Sequence, residues 1–430
     1  MHAPSKAIPA STVAGAASRP LARPAVPETA FGKHFWLTYL ANTTMMVAVS
    51  LLFRYADYVK LHGGGELELG QIVGIGMVGS LLVRLAQGVG IDRYGPRLIW
   101  LLSILLFVLS CLGHVFVNDL HAPWVYAWRI AMQTAVAGFF GSSITFISGR
   151  APVHRVAEVV GTLGTSGFVG MAIGTHLGDW LFTRSRDWTT ADAVQAMFII
   201  AAAVSGLSLV ASWLATRGHA VRKGRRRPAV GRLLARYHPG VLLLVAVAMG
   251  FGLSLPATFV RPYAQELHIS RIGLFFTIYP LTAFIMRLAT ARVPGRWGIR
   301  VMILTGMFLI TLSMPMFLLV RQPAHLIIPA LFLGAAHASL FPSVVAGGSG
   351  AFPRRHRGLG TTLVLAMFDL GNLIGAPTVG LLLHTAKRMG LAAYPTMFVV
   401  VACLLGACGL LYAMLSRNVP LPPRRKPAAA

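Results

Sequence analysis

Long apolar stretches separated by short polar segments recur along almost the whole chain. Runs near the ~20 residues that cross a bilayer as a helix predict twelve spans, at 35–57, 70–91, 97–117, 124–148, 157–182, 192–216, 239–263, 270–292, 300–320, 325–348, 359–385 and 391–416. The runs are long and continuous, unlike the alternating ten-residue segments of a membrane β-barrel. The pattern therefore predicts an all-α integral membrane protein of about twelve transmembrane helices, which the internal repeat described below divides into two pseudo-symmetric six-helix bundles. Five segments follow: a disordered tail (1–33), a first bundle (34–216), a basic linker (217–238), a second bundle (239–416) and a short tail (417–430).

Composition strengthens this picture. Only 12% of the 430 residues are charged and 56% are hydrophobic, whereas a water-soluble domain carries about 25% charged residues. Lys and Arg number 38 against 12 Asp and Glu. In a soluble protein that excess would suggest nucleic acid. Here the basic residues lie between the spans, so no nucleic-acid partner is expected, even for the run Arg222, Lys223, Arg225, Arg226 and Arg227. With both termini and the even-numbered loops on one side, and residues within three of a span end counted with the side they adjoin, that side holds 26 Lys and Arg, the other holds 9, and Arg84, Arg129 and Arg287 lie deeper inside spans. Positive residues mark the cytoplasmic face. Both termini are therefore expected in the cytoplasm, with the protein in the plasma (inner) membrane. Residues 1–33 lack the apolar core of a signal peptide; an organelle transit segment is the alternative to a plain tail. Cys111, Cys403 and Cys408 all fall in apolar runs without metal-ligand spacing. No metal and no cofactor is expected.

The two halves repeat. At an offset of 203, Arg84, Leu85, Ala86, Arg93, Gly95 and Arg97 meet identical residues at Arg287, Leu288, Ala289, Arg296, Gly298 and Arg300, and Tyr94 meets Trp297. At an offset of 201, Ser148, Gly149, Pro152, Gly170, Ile173 and Gly174 meet Ser349, Gly350, Pro353, Gly371, Ile374 and Gly375. Duplicated halves related by an axis along the membrane normal are a transporter design.

Gly88, Asp92, Arg93, Gly95 and Arg97 fit the pattern G-x-x-x-D-R/K-x-G-R/K-R/K between the second and third spans. On this motif, the twelve spans and the weaker second copy, the chain resembles the major facilitator superfamily over its whole length. Pro96 departs from the usual basic residue, and Gly295 stands where the second copy would have its acid. The resemblance implies that the motif residues, with Arg296, Gly298 and Arg300, latch the two halves at the cytoplasmic side; simple positive-inside anchoring is the alternative. Gly161, Gly164, Gly167, Gly170, Gly174 and Gly178 line the fifth span. The stretch Gly174 to Asp179 resembles the superfamily's antiporter motif, with Thr175 for its proline and Asp179 for its last glycine. Close helix packing accounts for the same glycines.

Charges inside spans are costly, about 2.5–3.5 kcal/mol for a central Arg on insertion scales, and so mark candidate sites. Arg84 and Arg287 are related by the repeat. They either face a central cavity and bind an anion, since guanidinium grips oxyanions bidentately, or serve structure, Arg84 being tied to the motif's Asp92. The Arg84 context also resembles the second-span Arg of nitrate/nitrite porters. Arg54 and Arg261 loosely resemble the arginine pair of organophosphate/phosphate antiporters; snorkelling to the interface is the alternative. Arg129 resembles the superfamily's fourth-helix Arg, linked there to proton coupling. Asp369 is read as the one carboxylate deep in a span, about ten residues or ~15 Å from its end. There it must be protonated or paired, which makes it the leading proton-relay candidate. His176 and Asp179, about one turn apart, are the next. His337 reads as a packing residue.

No H-E-x-x-H run or convergent carboxylate cluster points to an embedded enzyme. The resulting expectation is a secondary active transporter of a small molecule or ion, proton-coupled, leaning to export by antiport and acting as a monomer among membrane lipids. The alternatives are an uptake porter for nitrate-like or organic anions, and a non-transporting sensor with a transporter fold.

Overall fold

The computed structural model describes residues 31–152, 155–184, 188–218, 230–290, 298–353 and 356–416. Most of the expected tails, the basic stretch 219–229, Arg296, and the side chains of Asp92 and Arg93 lie outside the described residues.

The membrane helices are α1 (Lys33–Leu61), α2 (Glu66–Arg84), α3 (Tyr94–Val115), α4 (Pro123–Ser148), α5 (Val156–Arg184), α6 (Thr190–Thr216), α7 (Leu242–Glu266), α8 (Gly273–Ala289), α9 (Ile299–Leu319), α10 (Pro323–Gly350), α11 (Arg357–Arg388) and α12 (Ala393–Leu415). Ten are long and apolar enough to span a membrane, α8 is a shorter apolar helix, and α5 runs for 29 residues. Large apolar side chains stand exposed on the outer helix faces, among them Leu207, Val210, Leu404, Leu410 and Met414. In water such a surface would aggregate; against lipid it costs nothing. Serines inside the helices return their hydroxyls to the preceding turn, as Ser205 does to Ala201 at 2.7 Å, which satisfies them without water.

Local sequence sets several boundaries. A continuous helical stretch, Glu66–Val115, breaks only at Gly95, whose φ of 82° and ψ of 156° suit glycine alone. The repeat partner Gly298 has φ 87° and ψ 159°, so the sequence repeat is also a backbone repeat. Thr189 and Asp192 form a reciprocal capping box at the start of α6. One boundary differs from the sequence reading. A 3-10 turn at Leu52–Arg54 bends α1 without ending it, and the helix continues from Tyr55 to Leu61. Asp57 is therefore a second buried carboxylate within a helix, 4% exposed and four residues from its end at Leu61.

Packing is symmetric. In the first six helices α1 packs on α5 and α6; in the last six, α7 packs on α11 and α12. The halves meet where α2 lies on α11 and, symmetrically, α5 lies on α8. Gly170 and Gly174 sit directly against the α1 backbone, while their repeat partners Gly371 and Gly375 sit against Val247 and Phe251 of α7. Between the halves, Gly70 and Gly74 of α2 leave room for Ala376 and Pro377 of α11. A side chain at any of these glycines would push two helices apart.

Candidate functional site

The charged residues inside the helices group into three levels. The first closes one end of the molecule. Arg54 Nη1 is 3.1 Å from Asp57 Oδ2, and its Nη2 is 2.9 Å from Asp179 Oδ1 and 3.0 Å from the Ser270 carbonyl. Arg261 Nε lies 3.1 Å from Asp57 Oδ2 and its Nη1 3.2 Å from the same Ser270 carbonyl. Gln265 Nε2 donates to Asp57 Oδ1 at 2.6 Å. Asp179 Oδ2 accepts the Gly273 amide at 2.6 Å, at the N-terminus of α8, where a negative charge is favoured. Two arginines face two carboxylates, all within 10% exposure. This corrects both readings of the Arg54 and Arg261 pair: neither reaches the interface, and both are neutralised in place. His176 and Asp179 likewise do not form a pair. His176 Nδ1 faces the Ala172 carbonyl at 3.0 Å, and Asp179 is committed to Arg54 and Gly273. At the same end Lys387 Nζ of α11 reaches Glu66 Oε1 of α2 at 2.6 Å.

Asp57 anchors two buried arginines, so Asp57→Ala leaves Arg261 with only a carbonyl. Breaking a buried pair from one side costs roughly 3–5 kcal/mol. The variant is expected to melt at a clearly lower temperature in detergent, whereas an unchanged midpoint would show that the cluster adds no stability.

The second level is a bridge between the halves. Asp369 of α11, 2% exposed, accepts hydrogen bonds from Arg84 Nε, from Arg84 Nη2 at 3.3 Å and from Ser80 Oγ at 2.6 Å. Arg84 is thus held by Asp369 and does not line the central cavity. Its repeat partner Arg287 does not line it either. Arg287 has a buried Nε with no hydrogen-bond partner. Nearby, His337 meets the Tyr279 hydroxyl, so it is a satisfied packing residue.

Between these two levels lies a cavity of about 190 Å³, lined by α1, α2, α3, α4, α7 and α11. Its polar lining is Tyr55, Arg129, Gln133, Ser254, Thr258 and Asn372. Arg129, 9% exposed, is unlike the other buried arginines. Its hydrogen bond is to Met132 Sδ at 3.4 Å, its Nε is buried without a partner, and its guanidinium lies 4.4 Å from the centre of the Tyr55 ring. No carboxylate pairs with it among the described residues. Gly76 of α2 leaves space for the Arg129 stem. Asn372 Oδ1 is also buried and unpartnered. A desolvated cation–π contact is worth about 2 kcal/mol or somewhat more, less than the several kcal/mol needed to desolvate an ion. The site therefore carries an uncompensated positive charge.

Every described hydrogen bond and ion pair between the two halves lies between the Arg54 cluster and the Arg84–Asp369 level. Toward the Gly95 end, Gly161, Gly164, Gly167 and Gly358 have nothing within 4 Å of where a side chain would begin. Arg300 there bonds Ser416 at 2.8 Å and the Ala413 carbonyl at 2.8 Å, both on its own half. Gly95 is buried at the break, and Arg97 is half-buried beyond it. The described contacts between the halves thus close the molecule toward the Arg54 end, beyond which a second cavity of about 370 Å³ lies between α1, α2, α7 and α11.

The family model of the Major Facilitator Superfamily matches residues 34–323 and 241–430. The chain belongs to the major facilitator superfamily. Solved structures share this superfamily fold at low identity. The nucleoside transporter NupG superimposes with a TM-score of 0.73 at 12% identity, covering 90% of this chain and 100% of that one. A D-xylose-proton symporter superimposes with 0.69 at 16% identity, covering 92% and 99%. A protein of Agrobacterium vitis named "Putative tartrate transporter" is 32% identical over 131 residues, which is 30% of this chain and 28% of that relative. This superfamily member is an integral membrane secondary transporter and not an enzyme.

Several residues of the site escaped the sequence reading: Tyr55, Asp57, Ser80, Gln265 and Asn372. Asp57 carried a usable signal, since Arg54 and Asp57 stand three apart on one helix face. The others are ordinary in sequence and gain meaning only from what packs opposite them.

Proposed function

We propose that this protein transports a small organic anion, a tartrate-like dicarboxylate, by alternating access, and that Arg129 is the group that binds it. The supporting observation is a buried guanidinium with no carboxylate partner, facing a polar cavity. At about 190 Å³ that cavity is below the ~300–1,000 Å³ of sites for drug-sized ligands, so it suits a compact solute better than a bulky amphiphile. Gln133, Asn372, Ser254 and Thr258 supply neutral donors and acceptors for hydroxyl groups. The name of the Agrobacterium vitis relative points to the same chemistry. Uptake of labelled tartrate, malate and succinate into proteoliposomes tests the reading. Saturable, mutually competing uptake is expected; uptake of none of the three would refute it.

Within this reading Asp369 and Arg84 couple transport to protons across the boundary between the halves, and the motif of Gly88, Asp92, Arg93, Gly95 and Arg97 latches the open end. The two six-helix halves, 34–216 and 239–416, move as bodies about the cavity, joined by the linker 217–238. Export by antiport gains no support from α5, because Gly170 and Gly174 are packing surfaces for α1; symport of anion and proton is the better fit. With cytoplasmic termini, the sealed Arg54 end faces outward and the conformation is inward-facing. Reporter fusions at Ala220 and after Leu415 are expected to report cytoplasm, and one near Gly63 the opposite side. Disagreement between the first two would overturn this topology.

A further inference from the structure

Behind Arg129 lies a second buried polar pair. The ring of Tyr55 carries the Arg129 guanidinium, and its hydroxyl lies 3.1 Å from Nε2 of His114 on α3. His114 Nδ1 lies 2.7 Å from the Ser110 carbonyl oxygen. A carbonyl only accepts, so Nδ1 holds the hydrogen. In neutral His114 the other nitrogen is then an acceptor, and Tyr55 donates to it. The imidazole stacks on Phe198 at 4.9 Å and 13° and is 1% exposed.

The groups around it are few. Tyr55 and Tyr58 face it from α1, Phe198 from α6, and Arg129 of α4 lies across the Tyr55 ring. Cys111 of its own helix, Tyr126 of α4 and His62, 4.6 Å from the Tyr58 ring, are the further titratable neighbours of this cluster. No carboxylate touches His114 among the described residues. The imidazole therefore has one free valence for a proton, and a single hydroxyl connects that valence to a residue lining the anion cavity.

We propose that His114 is a proton-binding site linked to occupancy at Arg129, so that anion and proton enter the first half together. The proposal rests on the reading of Arg129 as the anion site and is separate from Asp369. With the cavity empty, an imidazolium would add a second buried positive charge beside an uncompensated one, which the low dielectric penalises. An anion on Arg129 removes that penalty. A proton delivered by cavity water then joins Tyr55 Oη while the original Tyr55 hydrogen moves to His114 Nε2. Water is released neutral, the phenol is restored, and the imidazolium donates from both nitrogens, to Ser110 and to Tyr55. Both acceptors are already in place.

Linkage makes the effect reciprocal. If one proton binds with each anion, affinity falls about tenfold per pH unit as pH rises above the titration of the site. The test is titration calorimetry of the purified full chain with tartrate, at one pH in two buffers of different ionisation heat, at pH values where tartrate is fully ionised. The wild type is expected to take up close to one proton per tartrate. His114→Gln is expected to bind tartrate with little proton uptake and a flat pH dependence. Tyr55→Phe, which keeps the ring beneath Arg129 but removes a hydroxyl of the site, is expected to bind tartrate more weakly and likewise with little proton uptake. No uptake in the wild type, or full uptake in a folded form of either variant, would overturn the assignment of His114 alone. Absence of tartrate binding, or binding that survives Arg129→Gln, would overturn the anion site itself and this proposal with it.

Discussion

Arg129→Gln is expected to abolish anion binding and, with it, transport. A hydrogen bond to a charged group is worth about 1.5–3 kcal/mol, so losing a two-pronged grip removes roughly 3–6 kcal/mol, or about 10²–10⁴-fold in Kd. Arg129→Lys keeps the charge but loses the planar fork, and its affinity is expected to fall roughly ten- to a hundredfold. A second readout separates binding from structure. Arg129 is buried without a carboxylate partner among the described residues, so its charge burdens the empty protein. Arg129→Gln is therefore expected to leave the melting temperature unchanged or raised while abolishing the rise that tartrate produces in the wild type. A lower melting temperature with tartrate affinity intact would make Arg129 a structural residue and remove the central argument for anion transport.

Asp369→Asn is expected to lower uptake driven by a pH gradient, by removing the proton carried on this carboxylate, while sparing exchange of labelled for unlabelled anion. In the sealed state Asp369 accepts from Arg84 and Ser80 across the boundary between the halves. Rotating the halves to open the Arg54 end changes the packing of α2 on α11, and the carboxylate then loses its partners. A bare carboxylate in apolar surroundings costs several kcal/mol; taking up a proton avoids that cost. Protonation thus accompanies the conformational switch. Asparagine imitates the protonated form permanently, so exchange continues and this position no longer draws work from the gradient. Driven uptake that survives with its pH dependence intact would leave Asp369 as a structural bridge.

The sequence reading and the structure differ most where charges are concerned. Arg84, Asp369, Arg54, Arg261 and Asp179 were all visible as costly residues in apolar runs, because the cost of a charge in lipid is a local property. Their pairing was not visible. Arg84 and Asp369 are 285 residues apart, Arg261 and Asp57 are 204 apart, and Arg54 and Asp179 are 125 apart. The repeat encouraged treating Arg84 and Arg287 as equivalent. Among the described residues only Arg84 has a carboxylate opposite it, since the halves share a backbone plan and not a charge pattern. Arg129 and Arg287 both lack an acid among the described residues, and only the three-dimensional structure shows that Arg129 is the one lining the cavity.

What the sequence determined by itself is the membrane class, the twelve spans, the duplication and the superfamily. The first two follow from hydrophobic run length, the duplication from residues repeated at a constant offset, and the superfamily from the resemblance of the motif from Gly88 to Arg97. The positive φ shared by Gly95 and Gly298 is the backbone demand behind one repeated pair. The tertiary structure alone decided which charges are neutralised, which end is sealed, and where an uncompensated arginine meets a cavity. The reason is that lipid offers no counter-charge. Each buried ion must find its partner within the protein, from whatever helix lies opposite, and the assembly of two six-helix halves determines which helix that is.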